Sequence, residues 1–331
     1  MKKVVYNELN LLKGLAIILV IIGHSFPDTI TGVSNPINLF IFAFIYLFHM
    51  PLFFFISGIL LYKKEKKLNN YKERILEVKN KFLRLMIPYF FFSIITLILK
   101  ISFSSYASNK FDFSDAYKVL FGVSSNGGLW FLYILFVVNI VVLLIPSNKN
   151  IKYYLLLIIS FIIVYLLRNT NSITIYRIIY HLPYFLLGII TSIKYEEFKN
   201  NTNKNLICLI LLTSFMAIDV YKGGYLDIYA FLLGMSGIVA SFIIVSFIKN
   251  GSIIDKILNL FGKYSMQIYL LSYYFLIPIR IICKKILIPY YLTMAILIII
   301  GLLMPIVISK YIIRDNKYIN VILFGQKKKI E

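Results

Sequence analysis

Three histidines, His24, His49 and His181, stand inside long apolar runs of the chain, and it has no others. Polar groups at membrane depth are costly and usually face the protein interior or a wet cavity. Neutral histidine is the usual general base near neutral pH, because its unperturbed pKa is about 6.5. The chemistry that these residues suggest is histidine-assisted attack by a substrate hydroxyl.

His24 shares one face of a predicted first helix with two other polar residues. Asn10, Lys13 and His24 recur at helical spacing, and Ile17 lies between them on the same face. The stripe is polar at both ends, so it predicts one wall of a cavity entered from the cytoplasm. The alternative is that Lys13 extends toward the membrane surface and His24 fills an interfacial position.

The other two histidines each precede a proline by two residues. His49 lies near the middle of the second apolar run, and Pro51 interrupts the local hydrogen bonding and opens a kink or pocket. Taken alone, the residues support a structural and a functional role for His49 equally. For His181 we predict a structural role, since Pro183 frees a backbone carbonyl for its side chain to bond.

The composition identifies the elements that must position these residues. Of the 331 residues, 60% are hydrophobic and 15% are charged, whereas soluble chains are about 45–50% apolar and about 25% charged. We therefore predict an all-α, polytopic integral membrane protein with a single membrane-embedded domain, residues 1–331. About ten transmembrane helices are expected, at about 9–26, 37–61, 85–102, 129–146, 153–167, 178–194, 205–220, 228–248, 264–282 and 286–310.

The basic residues predict how the chain is oriented. With both termini in the cytoplasm, 25 of the 35 lysines and arginines fall on the cytoplasmic side, as the positive-inside rule requires. The formal charge of +21 therefore reflects basic loops held on the cytoplasmic side of the membrane. Nucleic-acid binding is not expected. No loop typical of ATP or NAD binding and no metal-ligand spacing occurs in the sequence.

Six motifs follow one another along the chain: NLLKGLAIILVIIGHSF, FHMPLFFFISGILLYKK, NKFLRLMIPYF, LWFLYILF, HLPYFLLGIITSI and GKYSMQIYLLSYYF. In this order they resemble the acyltransferase 3 family, polytopic bacterial membrane proteins that mostly O-acylate surface glycans. The second motif is similar to the fucose-acetylase-like branch of that family. The resemblance covers nearly the whole chain and implies a multi-pass protein of the bacterial cytoplasmic membrane, surrounded by its lipids.

The resemblance also implies roles for individual residues. His24 matches the family's catalytic histidine, and Lys81 and Arg84 match its Arg-x-x-Arg motif, where a lysine keeps the charge but loses the bidentate fork. Asn10 stands where the family more often has aspartate, and Ser272 stands where many relatives carry histidine.

We therefore expect the transfer of an acyl group from cytoplasmic acyl-CoA to a hydroxyl of a cell-surface or lipid-linked glycan. The acyl group is expected to be acetyl. His24 and His49 are the candidate catalytic residues, and Lys81, Arg84, Lys13 and Asn10 are the candidate donor-binding residues. Trp130 is either a stacking platform for the sugar or an interfacial tryptophan. The alternative function is a polysaccharide or lipid-linked sugar exporter or flippase without covalent chemistry.

Overall fold

The structure is a computed structural model that describes residues 2–28, 35–68, 70–102, 113–124, 126–145, 150–167, 170–195, 227–313 and 317–325. Within these ranges every regular element is a helix. The α-helices are α1 (Lys2–His24), α2 (Pro36–Glu65), α3 (Tyr71–Ser102), α4 (Trp130–Leu144), α5 (Ile151–Leu167), α6 (Ile173–Ile193), α7 (Asp227–Ser246), α8 (Ile253–Lys263), α9 (Ser265–Lys285), α10 (Tyr290–Ile308) and α11 (Lys317–Phe324). A 3₁₀ helix covers Phe113–Phe121, and a π-helical turn covers Ser309–Ile313.

Six helices in the described ranges are long and apolar enough to cross a membrane: Asn7–His24, Pro36–Glu65, Tyr71–Ser102, Ile173–Ile193, Ser265–Lys285 and Tyr290–Tyr311. Shorter apolar helices cover Trp130–Leu144, Ile151–Leu167 and Ala230–Ser246. These helices correspond to nine of the ten predicted segments, and the tenth, 205–220, lies outside the described residues. The chain is a polytopic helical membrane protein.

Two helices occupy sequence that hydropathy alone assigns to polar connections. α3 begins at Tyr71, whereas the sequence predicts a span only from residue 85, preceded by a basic segment at 62–84 that is helical in part. α8 lies between two apolar segments, in a stretch rich in lysine. Hydropathy identifies the part of a helix that suits lipid, but a helix can continue into polar sequence where its neighbours provide contacts.

The contacts within the chain define two compact units. The first comprises Met1–Ser57 and Lys194–Ser309, and the second comprises Gly58–Ile193 and Lys310–Glu331. In the first unit, α1 packs against α7, α8, α9 and α10, and α9 packs against α10. In the second unit, α3 packs against α4, α11 and the 3₁₀ helix, and α6 packs against both α4 and α5.

Two glycines bring α1 and α8 into direct backbone contact. A Cβ atom at Gly14 would collide with the Leu258 carbonyl oxygen, and one at Gly262 would collide with the Asn10 carbonyl oxygen. The two contacts are reciprocal, because each glycine faces the residue four positions from the other. Small residues allow this approach between membrane helices, and the approach fixes Asn10 against α8.

The glycine contact supports a prediction on stability. Gly262→Val should destabilise the protein by about 1–3 kcal/mol or more, because the side chain must displace backbone rather than a flexible neighbour. The measurement is the apparent melting temperature of the detergent-solubilised chain. Gly127→Ala is the control, because nothing lies within 4 Å of a Cβ at that position. A Gly262→Val variant that melts like the Gly127→Ala variant would contradict the packing described.

Candidate functional site

His24 and His49 lie on either side of one tyrosine in the first unit. The hydroxyl of Tyr46 is 3.2 Å from Nδ1 of His24. The tyrosine ring meets both imidazoles edge-on, with centroids 5.7 Å from His24 and 5.0 Å from His49. Tyr46 and His49 are three residues apart on α2, so one helix face presents both side chains to the end of α1.

The backbone fixes the tautomer of His49. Its Nδ1 lies 2.7 Å from the carbonyl oxygen of Ile45. A carbonyl oxygen only accepts hydrogen bonds, so Nδ1 carries the proton and Nε2 of neutral His49 holds a lone pair. His49 is 3% exposed, whereas His24 is only partly buried. Of the two histidines, His24 is therefore more accessible to a substrate.

Arg280 of α9 holds the C-terminal end of α1. Its Nη2 donates to the backbone carbonyl oxygen of His24, one of the carbonyls that a helix end leaves without an internal donor. A cation is also favoured at the negative end of the helix dipole. The buried Nε of Arg280 has no hydrogen-bond partner among the described residues. The guanidinium thus sets the position of His24 and keeps one N–H group available.

An acidic residue and a second tyrosine lie next to this group. Asp28 interacts electrostatically with Arg280, and its Oδ1 accepts a hydrogen bond of 2.6 Å from the Tyr290 hydroxyl. The sequence interpretation missed Tyr46, Arg280, Asp28 and Tyr290 as members of the site. An arginine within a span was the available signal, because such residues are rare and usually functional.

The polar stripe predicted on α1 is interrupted by a core residue. Ile17 is fully buried, while Asn10 and Lys13 are partly exposed nearer the middle of the helix. Asn10 donates through Nδ2 to both the backbone carbonyl oxygen and Oδ1 of Asn259, at 3.0 and 2.8 Å. It also lines a cavity of about 520 Å³ beside α8. Asn10 and His24 therefore occupy separate environments along α1.

Lys81 and Arg84 lie on α3 in the second unit. Lys81 is partly exposed and Arg84 is exposed. Arg84 interacts electrostatically with Glu77, a buried carboxylate that also forms an ion pair with Lys64. A Cβ at Gly325 would collide with the backbone of Arg84, so the end of α11 packs directly on the motif.

A buried ionic cluster in the same unit holds the start of α3. Oε1 of Glu65 accepts hydrogen bonds from Arg74 Nη1 at 2.7 Å and Lys152 Nζ at 2.5 Å. Oε2 accepts from the Tyr153 hydroxyl at 2.7 Å. Glu65, Arg74 and Lys152 are each at most 6% exposed. Because removing one partner of a buried pair is costly, the cluster fixes the helix that carries Lys81 and Arg84.

Trp130 begins α4 in the second unit and packs beside two residues of α6. The Arg177 guanidinium carbon lies 4.7 Å from the centroid of the Trp130 ring, and the centroid of the His181 ring lies 5.1 Å from it. Nδ1 of His181 donates to the carbonyl oxygen of Arg177 at 2.8 Å. This is not the carbonyl of Ile179 that Pro183 frees, so the proline does not supply the bond expected for His181.

The comparisons with known proteins identify the family. A search of the curated proteins and of the solved structures finds no match to this chain. The model of the acyltransferase 3 family, described as an "Acyltransferase domain", matches residues 6–314. This range contains every candidate residue described above and nearly the whole chain. The chain therefore belongs to the acyltransferase 3 family and is a multi-pass membrane acyltransferase.

Proposed function

We propose that this protein transfers an acyl group, acetyl in the simplest case, from acyl-CoA to a hydroxyl of a cell-surface or lipid-linked glycan. The observation that carries the proposal is the placement of His24. Its imidazole lies within hydrogen-bond distance of Tyr46, and its backbone is held by Arg280. A base oriented by a second group is the arrangement that activates a hydroxyl nucleophile.

In the proposed reaction His24 acts as general base. When its Nδ1–H donates to the Tyr46 oxygen, Nε2 keeps the lone pair that abstracts the acceptor's proton. The acceptor oxygen attacks the thioester carbonyl carbon and forms the ester C–O bond. The C–S bond then breaks, and His24 returns the proton to the departing thiolate. His49 serves as a second candidate base or orients His24 through Tyr46.

The remaining residues take roles in substrate binding. Lys81 and Arg84 bind phosphate groups of the donor, for which a guanidinium is well suited. Lys13 and Asn10 contact its remaining polar groups. Trp130 contributes an aromatic surface to the sugar acceptor, with Arg177 covering part of the ring.

We further propose that the protein is one functional domain with about ten crossings of the bacterial cytoplasmic membrane and both termini in the cytoplasm. This orientation gives the basic loops access to acyl-CoA, which is an anion made in the cytoplasm. The acceptor then reaches His24 at the end of α1, which is about 21 Å along the helix from Asn10.

Replacing Arg84 tests donor binding. Arg84→Ala should weaken acyl-CoA binding about tenfold, since a hydrogen bond to a charged group contributes about 1.5–3 kcal/mol. The measurement is the Kd for acetyl-CoA in nanodiscs. Lys79→Ala removes an exposed cation from the same helix and should leave the Kd unchanged. Equal affinities of the two variants for acetyl-CoA would show that Arg84 does not belong to the donor site.

A deletion strain separates acyl transfer from glycan export, which the family match does not favour. If the protein is an acyltransferase, deletion leaves the amount of surface glycan unchanged and removes its ester-linked acyl groups. Mass spectrometry of the glycan measures both quantities. Loss of the polymer itself would identify an exporter and contradict the proposal.

A further inference from the structure

The structure contains an open cavity on the first unit, away from the histidines, with charged and amide side chains in its lining. It has a volume of about 520 Å³, within the range of small-molecule sites. Its lining residues are Asn10, Asp255, Lys256, Asn259, Leu260 and Lys263. All except Asn10 belong to α8, and Lys256, Asn259 and Lys263 recur at spacings that place them on one helix face.

Hydrogen bonds make the amide part of this cavity rigid. Asp255 accepts from the Gly251 backbone N–H at 3.0 Å and from Asn259 Nδ2 at 3.1 Å. Asn259 Oδ1 in turn accepts from Asn10 at 2.8 Å. Each amide is therefore held in one orientation by its neighbour, and the glycine contacts described above hold the two helices at the required distance.

The charged part of the cavity has unneutralised cations. Lys256 and Lys263 are exposed, and within the described ranges neither forms an ion pair. The one carboxylate of the lining, Asp255, is buried and bonded to neutral donors. Two ammonium groups that form no ion pair within the described ranges lie beside oriented amides, and together they form a surface suited to a phosphorylated ligand that also carries amide groups.

We infer that the α1–α8 cavity binds a phosphate and neighbouring amide groups of the acyl-CoA donor. The inference rests on the proposed function, since acyl-CoA is the substrate in which these two groups occur together. Lys256 and Lys263 contact the phosphate, while the Asn10 and Asn259 side chains face the amides. The inference concerns the first unit only and assigns no role to Lys81 and Arg84, which belong to the second unit.

Binding of coenzyme A to the full-length chain in phosphatidylcholine nanodiscs tests the inference. The Lys256→Ala/Lys263→Ala double variant should bind about tenfold or more weakly. Lys249→Ala is the matched control, because it removes an exposed lysine that precedes α8 and does not line the cavity. The Lys256→Arg/Lys263→Arg variant keeps both charges and should retain most of the affinity, which separates loss of charge from loss of fold.

The outcomes distinguish the failure of this inference from that of the proposed function. If the wild-type chain binds coenzyme A and the double alanine variant binds it equally well, the inference is wrong and the function stands. If the wild-type chain does not bind coenzyme A, the proposed donor is wrong.

A second arm adds phosphatidylglycerol, because lipid head groups also carry phosphate and Ile253, Ile254 and Ile257 expose an apolar surface on α8. According to the inference, the double variant binds coenzyme A more weakly than the wild-type chain in both membranes. A difference in coenzyme A affinity that appears only with the anionic lipid would assign the cavity to a lipid head group and overturn the inference.

Discussion

Replacing His24 by alanine is expected to lower the rate of acyl transfer by about 10²–10⁴-fold, the usual contribution of a general base. The substitution removes the imidazole that Tyr46 orients and leaves the backbone bond from Arg280 to residue 24 in place. Insertion into the membrane should therefore not change. The measurement is the ester content of the surface glycan in a deletion strain that expresses the variant.

The matched control for His24 is another histidine of the same chain. His181 is buried in α6 and bonds to a carbonyl of its own helix, so His181→Ala should keep most of the wild-type ester content. If His24→Ala restored the glycan esters as fully as the wild-type gene does, His24 would not be the base.

Replacing Arg280 by methionine should lower kcat for acyl transfer by about 10–100-fold and change the KM for the donor little. The variant leaves the His24 carbonyl oxygen without its donor, and an unsatisfied buried polar group costs about 1–3 kcal/mol. His24 would then leave the position in which its side chain meets Tyr46. Steady-state kinetics with acetyl-CoA in isolated membranes measures both constants.

Two further variants show whether Arg280 acts by positioning His24. Arg280→Lys keeps a cationic donor and should recover part of the lost kcat, which a purely steric role would not predict. Lys284→Met removes an exposed cation from the same helix, one turn farther along, and should behave like wild type. A wild-type kcat for Arg280→Met would show that Arg280 does not position His24 for catalysis.

The sequence predicts the helical membrane class well, because hydropathy over long segments reflects the lipid environment directly. It also singles out His24 and His49, whose side chains lie on either side of Tyr46 in the structure. Their roles in catalysis remain predictions. Helical spacing supplied the candidates, since an ionisable group in an apolar segment needs a reason to be there.

Other features depend on contacts that one sequence does not record. Arg280 and the carbonyl of His24 are 256 residues apart in the chain, and no local pattern connects them. The start of α3 at Tyr71 combines a local cap, in which Asn70 Oδ1 accepts from the Glu73 backbone N–H at 2.9 Å, with the tertiary bond from Arg74 to Glu65 of α2. The backbone approach of Gly14 to Leu258 requires the helix packing itself. In each case a tertiary contact contributes that no local pattern predicts.

In the proposed reaction the acyl group passes from acyl-CoA to a glycan hydroxyl. Its most direct test supplies acetyl-CoA, labelled in the acetyl carbonyl carbon, to membrane vesicles that contain the glycan acceptor and either the wild-type chain or His24→Ala. Label should appear in a base-labile ester on the glycan with the wild-type chain and be nearly absent with the variant. Unlabelled glycan in wild-type vesicles, or equal labelling with both chains, would contradict the account.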